Sequence, residues 1–190
     1  MTTTYALLLR GINVGGRRKV PMAELRSVLE GLGHRDVRTY LQSGNAVFTT
    51  DADTDAPDTT DETLRQAIEA AIEKHFGFTV DCLVRDHAYL AAVVDDCPYP
   101  AEELQAKELH AFYLSETVDE ERFAALDRDA YLPESFALGD RVLYLHAPTG
   151  LGTSKLAPVL ARPSLLKGVT ATARNWNTAR KLVEMTRTEG

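Results

Sequence analysis

Apolar residues recur along the chain with two alternating periods, and the switch between them marks out the elements. Tyr5 to Leu9 is a short unbroken apolar run and reads as a strand that stops at Arg10-Gly11. Met22, Leu25, Val28, Leu29 and Leu32 then repeat at helical spacing, with Pro21 suited to the first helical position and Gly33 to a left-handed stop. Val37 to Leu41 and Ala46 to Thr50 read as the second and third strands, joined by Gln42-Ser43-Gly44-Asn45, which has hairpin-turn chemistry. Asp51 to Thr60 is acidic, contains Pro57 and lacks a period, so an exposed loop is expected there. Thr59 and Glu62 have the spacing of a capping box before a helix marked by Leu64, Ile68, Ala71, Ile72 and Phe76 and closed by Gly77. Phe78 to Val84 is the fourth strand.

The plan then recurs. His87 to Val94 reads as a connecting helix, broken by Pro98 and Pro100. Leu109 to Leu114 alternates as a strand, and Phe123 and Leu126 give Asp119 to Asp127 a helical spacing. Phe136 to Leu138 and Val142 to His146 flank a turn at Gly139-Asp140. Thr153 to Leu160 predicts a helix kept short by Pro158, Val169 to Thr172 a last strand, and Thr178 to Met185 a terminal helix. The fold class expected is α+β: tandem ferredoxin-like β-α-β-β-α-β halves with antiparallel sheets and a C-terminal helix, divided into residues 1–86 and 87–190.

Charge sharpens this picture. The 190 residues carry a formal net charge of −7, but not evenly: Asp51 to Glu73 and Asp95 to Asp140 are rich in carboxylates, while Arg10 to Arg26 and Lys155 to Arg187 are net basic. A negative total works against nucleic acid, because phosphate contacts supply most non-specific affinity, yet it leaves room for a local anion site. No apolar run approaches the roughly 20 residues of a membrane helix, and no basic region precedes the first apolar run. No membrane partner is therefore expected. The two cysteines, Cys82 and Cys97, are too few for a disulfide framework and read as reduced thiols, which places the protein in the cytoplasm.

Four segments hold the polar residues that a packed core would not need. Arg10, Asn13, Gly15, Gly16 and Lys19 lie in a glycine-rich loop between a strand and a helix, where backbone N–H groups can face an anion. Its spacing is neither that of a P-loop nor G-x-G-x-x-G. Gln42, Ser43 and Asn45 form a tight turn whose side chains can reach a ligand. Ser154 and Lys155 follow Gly150 and Gly152, and a lysine in a first helical turn is unfavourable for the helix dipole unless something negative sits nearby. Arg174, Asn175, Trp176 and Asn177 precede the last helix, with Asn177 or Thr178 as its cap and Trp176 as either a core anchor or a stacking wall. The five histidines show no metal-ligand spacing, there is no G-x-S-x-G, and no residue stands out as catalytic. No metal or cofactor is implied.

These segments carry a resemblance. Leu8-Leu9-Arg10-Gly11-Ile12-Asn13-Val14-Gly15-Gly16 with Lys19 to Leu25, Thr39 to Asn45 with Val47-Phe48, Ser154-Lys155-Leu156, and Ala171 to Thr178 together resemble the signature of a bacterial family known as domain of unknown function 1697. Arg17 and Arg18 stand where other polar residues are expected, and the acidic stretch after Thr50 is long for the family. The resemblance implies tandem ferredoxin-like halves and supplies no activity. It strengthens the reading of the four segments as a site, since buried unpaired polar groups are costly. The first expectation is that they meet in a cleft between the halves and bind a small anion, a nucleotide or a phosphorylated metabolite, neutralised by Arg10, Lys155 and Arg174. The second is a nucleic-acid-binding sheet with Phe48 and Tyr144 as stacking platforms. The third is that the segments are turns and caps in a protein that binds protein partners.

Overall fold

A strand that is apolar on both faces belongs in the middle of a sheet, and β1 (Thr2–Leu9) sits there. The computed structural model describes residues 2–51 and 60–187. After β1 come α1 (Met22–Gly31), β2 (Arg35–Tyr40), β3 (Asn45–Asp51), α2 (Asp61–Phe76) and β4 (Cys82–Asp86). They form a four-stranded antiparallel sheet in the order β2-β3-β1-β4. β2, polar and mostly exposed, takes an edge, and its register shifts between Arg35 and Arg38. One sheet face packs Leu7, Leu9, Phe48 and Val84 against Leu25 and Leu29 of α1 and Ile68 and Ile72 of α2.

α3 (His87–Asp95) leads to β5 (Leu109–Leu114), β6 (Ser135–Gly139), β7 (Val142–His146), α4 (Leu156–Leu160), β8 (Ala171–Asn175) and α5 (Trp176–Thr186). The second sheet is again antiparallel and four-stranded, in the order β6-β7-β5-β8. Phe112, Leu114, Phe136, Leu143 and Leu145 pack with Leu156 and Leu160 of α4. The chain divides into two compact units, Met1–Leu90 with Leu182–Gly190, and Ala91–Lys181. This is an α+β architecture of two four-stranded antiparallel sheets and five α-helices among the described residues. None of those helices is long and apolar enough to cross a membrane.

Several boundaries differ from the sequence pattern for local reasons. Residues 119–127 form only a 3₁₀ turn, Glu120–Phe123, because Phe123 and Leu126 are too few apolar positions to define a helical face. β4 starts at Cys82 rather than Phe78, whose ring instead lies 6.0 Å from that of Phe76. The helix expected from Thr153 is split: Leu151–Thr153 is 3₁₀, and α4 begins at Leu156, so Pro158 falls in its first turn where a missing N–H costs little. Pro21 precedes α1 as its N-cap instead of opening it. The capping box of α2 is made by Thr60 and Thr63; Thr59 and most of the acidic stretch lie outside the described residues.

Two histidines sit inside these units without a full set of hydrogen bonds. His34 and His110 are buried, and Nδ1 of each lacks a partner. The His34 ring rests on Phe48 with 4.3 Å between centroids. Burial pushes both imidazoles below the ordinary value of 6.5. A folded-state pKa below the unfolded one means that stability is intact above pH 6.5 and falls as the pH drops beneath it. Chemical denaturation across this range is expected to show that decline, and His34→Phe, which removes one titrating group, to make it shallower. An unchanged slope in the variant would show that His34 does not contribute.

Candidate functional site

The loop leaving β1 is built on hydrogen bonds that its own sequence supplies. Asn13 adopts φ 55°, a left-handed conformation that asparagine tolerates better than most residues. Its side-chain amide donates to the carbonyls of Val20 (3.0 Å) and Gln42 (2.8 Å), and its Oδ1 accepts from the Val20 N–H (2.9 Å). Beyond this clamp, Val14 and Arg17 pair as a minimal hairpin. Gly15 and Gly16, at φ 60° and 73°, meet the positive-φ requirement of a two-residue type I′ turn. The tip stands open, since a Cβ at either glycine would meet nothing within 4 Å.

The turn after β2 closes over the base of this loop. Gly44 lies so near β1 that a Cβ there would come within 2.8 Å of Leu9 Cβ and Ile12 Cδ1. Its carbonyl accepts from the Leu9 N–H at 2.8 Å. Asn45 is fully buried and donates to the Tyr40 carbonyl (2.9 Å) and Ser43 Oγ (3.0 Å). Leu41, bulky and at φ 60°, is more than half exposed. Such a conformation costs roughly 1–2 kcal/mol for a residue with a Cβ. Asn13 and Gln42, from two of the four sequence segments, are thus joined directly, while Asn13 and Asn45 spend their side chains on the loop and turn themselves.

Charge at this end is one-sided. Arg10, Arg17, Arg18 and Lys19 are exposed, and no acid occurs in sequence between Arg10 and Glu24. Arg10 makes an exposed ion pair with Asp81 at 3.3 Å. Arg17, Arg18 and Lys19 have no ion-pair partner among the described residues. Gln42 and Ser43 are exposed beside them.

In the second unit the negative group expected beside Lys155 exists, and it is Glu134. Its carboxylate accepts from Ser154 Oγ, from the Lys155 N–H (2.9 Å) and from the Leu156 N–H (3.3 Å), and Ser154 Oγ in turn accepts from the Ala157 N–H (2.9 Å). Burial raises the Glu134 pKa, but the bonds from Ser154, Lys155 and Leu156 outweigh it and leave the carboxyl below its ordinary value. The start of α4 is therefore filled by the chain's own anion. Lys155 itself points outward and is exposed.

The last segment divides between core and surface. Arg174 is buried on β8, donating to Thr172 Oγ1 (2.7 Å) and the Ala173 carbonyl (2.8 Å). Burial pushes its guanidinium down to about 10, with Tyr113 pulling the other way, so it keeps its charge at neutral pH. Trp176 is buried, its ring 6.4 Å from that of Tyr144. Asn175, not Asn177 or Thr178, caps α5: its Oδ1 accepts from the Thr178 N–H at 2.9 Å. Asn177 is exposed. Phe48 and Tyr144, the stacking candidates, are 0% and 2% exposed and offer no face to a base. Among the described residues no group of His, Cys, Asp and Glu could hold a metal ion.

Sequence reasoning passed over Glu134, Arg17 and Arg18. The lysine at a helix start was a signal for Glu134, but its position 20 residues upstream of Ser154 was not readable. The two arginines were visible as charge but had no motif to promote them.

Comparison with known proteins adds a family and a fold. The model of a family described as "Protein of unknown function (DUF1697)" matches residues 1–144. A solved structure titled as that of the conserved bacterial protein SP0830 from Streptococcus pneumoniae superposes with a TM-score of 0.75, covering 99% of this chain and 100% of that one at 24% identity. No curated protein matches the chain.

Two substitutions test the local architecture. Asn13→Ala removes three hydrogen bonds and leaves a left-handed position without a tolerant side chain, for an expected loss of roughly 2 kcal/mol in denaturant unfolding. Glu134→Gln should lower stability by about 1 kcal/mol at neutral pH. Because a depressed carboxyl stabilises above its unfolded pKa, the difference from the parent should close as the pH falls below 4.5. A Glu134→Gln protein as stable as the parent at neutral pH would contradict the capping role.

Proposed function

The chain belongs to the DUF1697 family of proteins of unknown function, and we propose that it binds a phosphate-bearing anion, such as a nucleotide or phosphorylated metabolite, on the loop between β1 and α1 of the first unit. One observation carries this reading: three consecutive exposed cations, Arg17, Arg18 and Lys19, without ion-pair partners among the described residues, project from a loop whose base is clamped by Asn13. Clustered like charges repel one another, and an anion relieves that repulsion. The Gly15 and Gly16 amides at the tip, Arg10, and the exposed Gln42 and Ser43 add donors. Ser154 and Lys155 are left outside this site, because Glu134 already occupies the donors there. Arg174, Asn175 and Trp176 are taken as structural and Asn177 as a surface residue. The role proposed is binding: Lys19, the one loop side chain able to act as a base or nucleophile, is exposed and has no neighbouring group that would activate it among the described residues.

The same reading takes each unit as a ferredoxin-like half. Its support is that both sheets share one strand order, each with one hairpin, β2–β3 and β6–β7, that joins an edge strand to its neighbour, although short 3₁₀ turns stand between β5 and β6 where the plan has a helix. A reducing, cytoplasmic setting fits a chain with two unpaired thiols, one of them buried.

Thermal unfolding with and without ATP, or with a phosphorylated sugar, tests the site. A ligand at about a hundred times its dissociation constant adds roughly 2.7 kcal/mol, which moves the melting temperature of a chain this size by about 5–10 °C. Arg17→Ala/Arg18→Ala/Lys19→Ala is expected to fold normally, since exposed substitutions shift stability by only about 0.5 kcal/mol, and to lose the ligand shift. Lys155→Ala should retain it. A shift that survives the triple substitution would overturn the proposal.

A further inference from the structure

Resting on that reading, we infer that the anion recognised by this loop is a linear polyphosphate chain, bound through its summed charge rather than through a pocket. The tip has no walls: a Cβ at Gly11, Gly15 or Gly16 would meet nothing within 4 Å, and every residue from Val14 to Lys19 is exposed. A single phosphate meeting one exposed cation gains little in high dielectric, so affinity at this open loop grows with the number of phosphates engaged. A chain of linked phosphates laid across Arg17, Arg18 and Lys19, with Arg10 at the loop base, gains from each neutralised charge and from the counterions it releases.

The surroundings favour polyphosphate over nucleic acid. Single-stranded nucleic acid is held by base stacking on exposed aromatic faces as well as by charge. Among the described residues the large exposed hydrophobics are Val14, Leu32, Leu41 and Leu132, none aromatic, and Phe48 is buried. The loop offers charge and arginine donors but no aromatic side chain on which a base could stack. Its cations are exposed and no surrounding side chain fixes their orientation among the described residues, so recognition depends on charge more than on the fork geometry of arginine.

The test is a binding titration of the full chain with pyrophosphate, tripolyphosphate, long-chain polyphosphate and a single-stranded oligonucleotide of matched charge. Affinity is expected to rise along the three phosphates, and the oligonucleotide to bind at least tenfold more weakly than long-chain polyphosphate. With three or four phosphates neutralised, raising salt fourfold should weaken polyphosphate binding by roughly twenty- to fiftyfold. Arg17→Ala/Arg18→Ala/Lys19→Ala should abolish this binding, whereas Arg17→Lys/Arg18→Lys should retain it within about threefold, as charge-summed recognition requires. Equal affinity for pyrophosphate and the longer chains would overturn this inference while leaving the anion site standing. An oligonucleotide that matches or exceeds polyphosphate would overturn it in favour of nucleic acid. No binding of any of the four at low salt would remove both the inference and the site on which it rests.

Discussion

The approach of Gly44 to β1 is the contact on which the first unit's exposed end depends. A methyl group there would collide with Leu9 and Ile12, and Gly44 also adopts φ 87°, which disfavours any side chain. Because the turn can sit this close, its carbonyls reach back: Gly44 holds the last residue of β1 and Gln42 receives Asn13. Two connections that are far apart in sequence thereby brace each other. The loop from Arg10 to Val20 then needs only the Asn13 clamp to become a short hairpin with its cations outward. Placing four cations together is unfavourable in isolation, and the Asn13 bonds to Val20 and Gln42 fix the base of the loop that carries them.

The second unit uses related pieces to the opposite end. It has the same strand order and a glycine-containing approach to a helix, but Glu134 satisfies the start of α4 from within. An anion held in this way stabilises the unit and takes up the Ser154 hydroxyl and the Lys155 and Leu156 backbone donors that a ligand would need. The contrast follows from charge placement. Glu134 lies just before β6 and within reach of Ser154, whereas among the described residues the one acid paired with a cation of the first unit's loop is Asp81, engaged with Arg10.

Most of the fold was legible because the apolar pattern fixes it locally. The unbroken run Tyr5–Leu9 implied a strand, and Gly33 and Gly77 stopped their helices at φ 88° and 78°. The pattern failed where tertiary contacts decide: two apolar residues were not enough to make a helix of 119–127, and Phe78 packed on Phe76 rather than extending β4. At the site, the glycines and basic residues announced an anion-compatible loop, but the side chains chosen as ligand contacts were harder to judge. Asn13 and Asn45 look like free polar groups in sequence and are in fact hydrogen-bonded to carbonyls brought in by folding. Arg174 was expected to neutralise a bound anion and instead lies buried on β8, bonded to Thr172 and the Ala173 carbonyl. Polar residues at a turn can serve the backbone or a ligand, and only the three-dimensional count of donors and acceptors separates the two.

The central claim is that anion recognition belongs to the first unit's braced loop. The most direct measurement is a titration of the isotopically labelled protein with tripolyphosphate, followed residue by residue through its backbone amide resonances. The account predicts shifts concentrated in residues 10–20 and 41–44, with Ser154 to Leu156 and Arg174 to Thr178 unmoved. Shifts centred on those second-unit segments, with the loop silent, would contradict it.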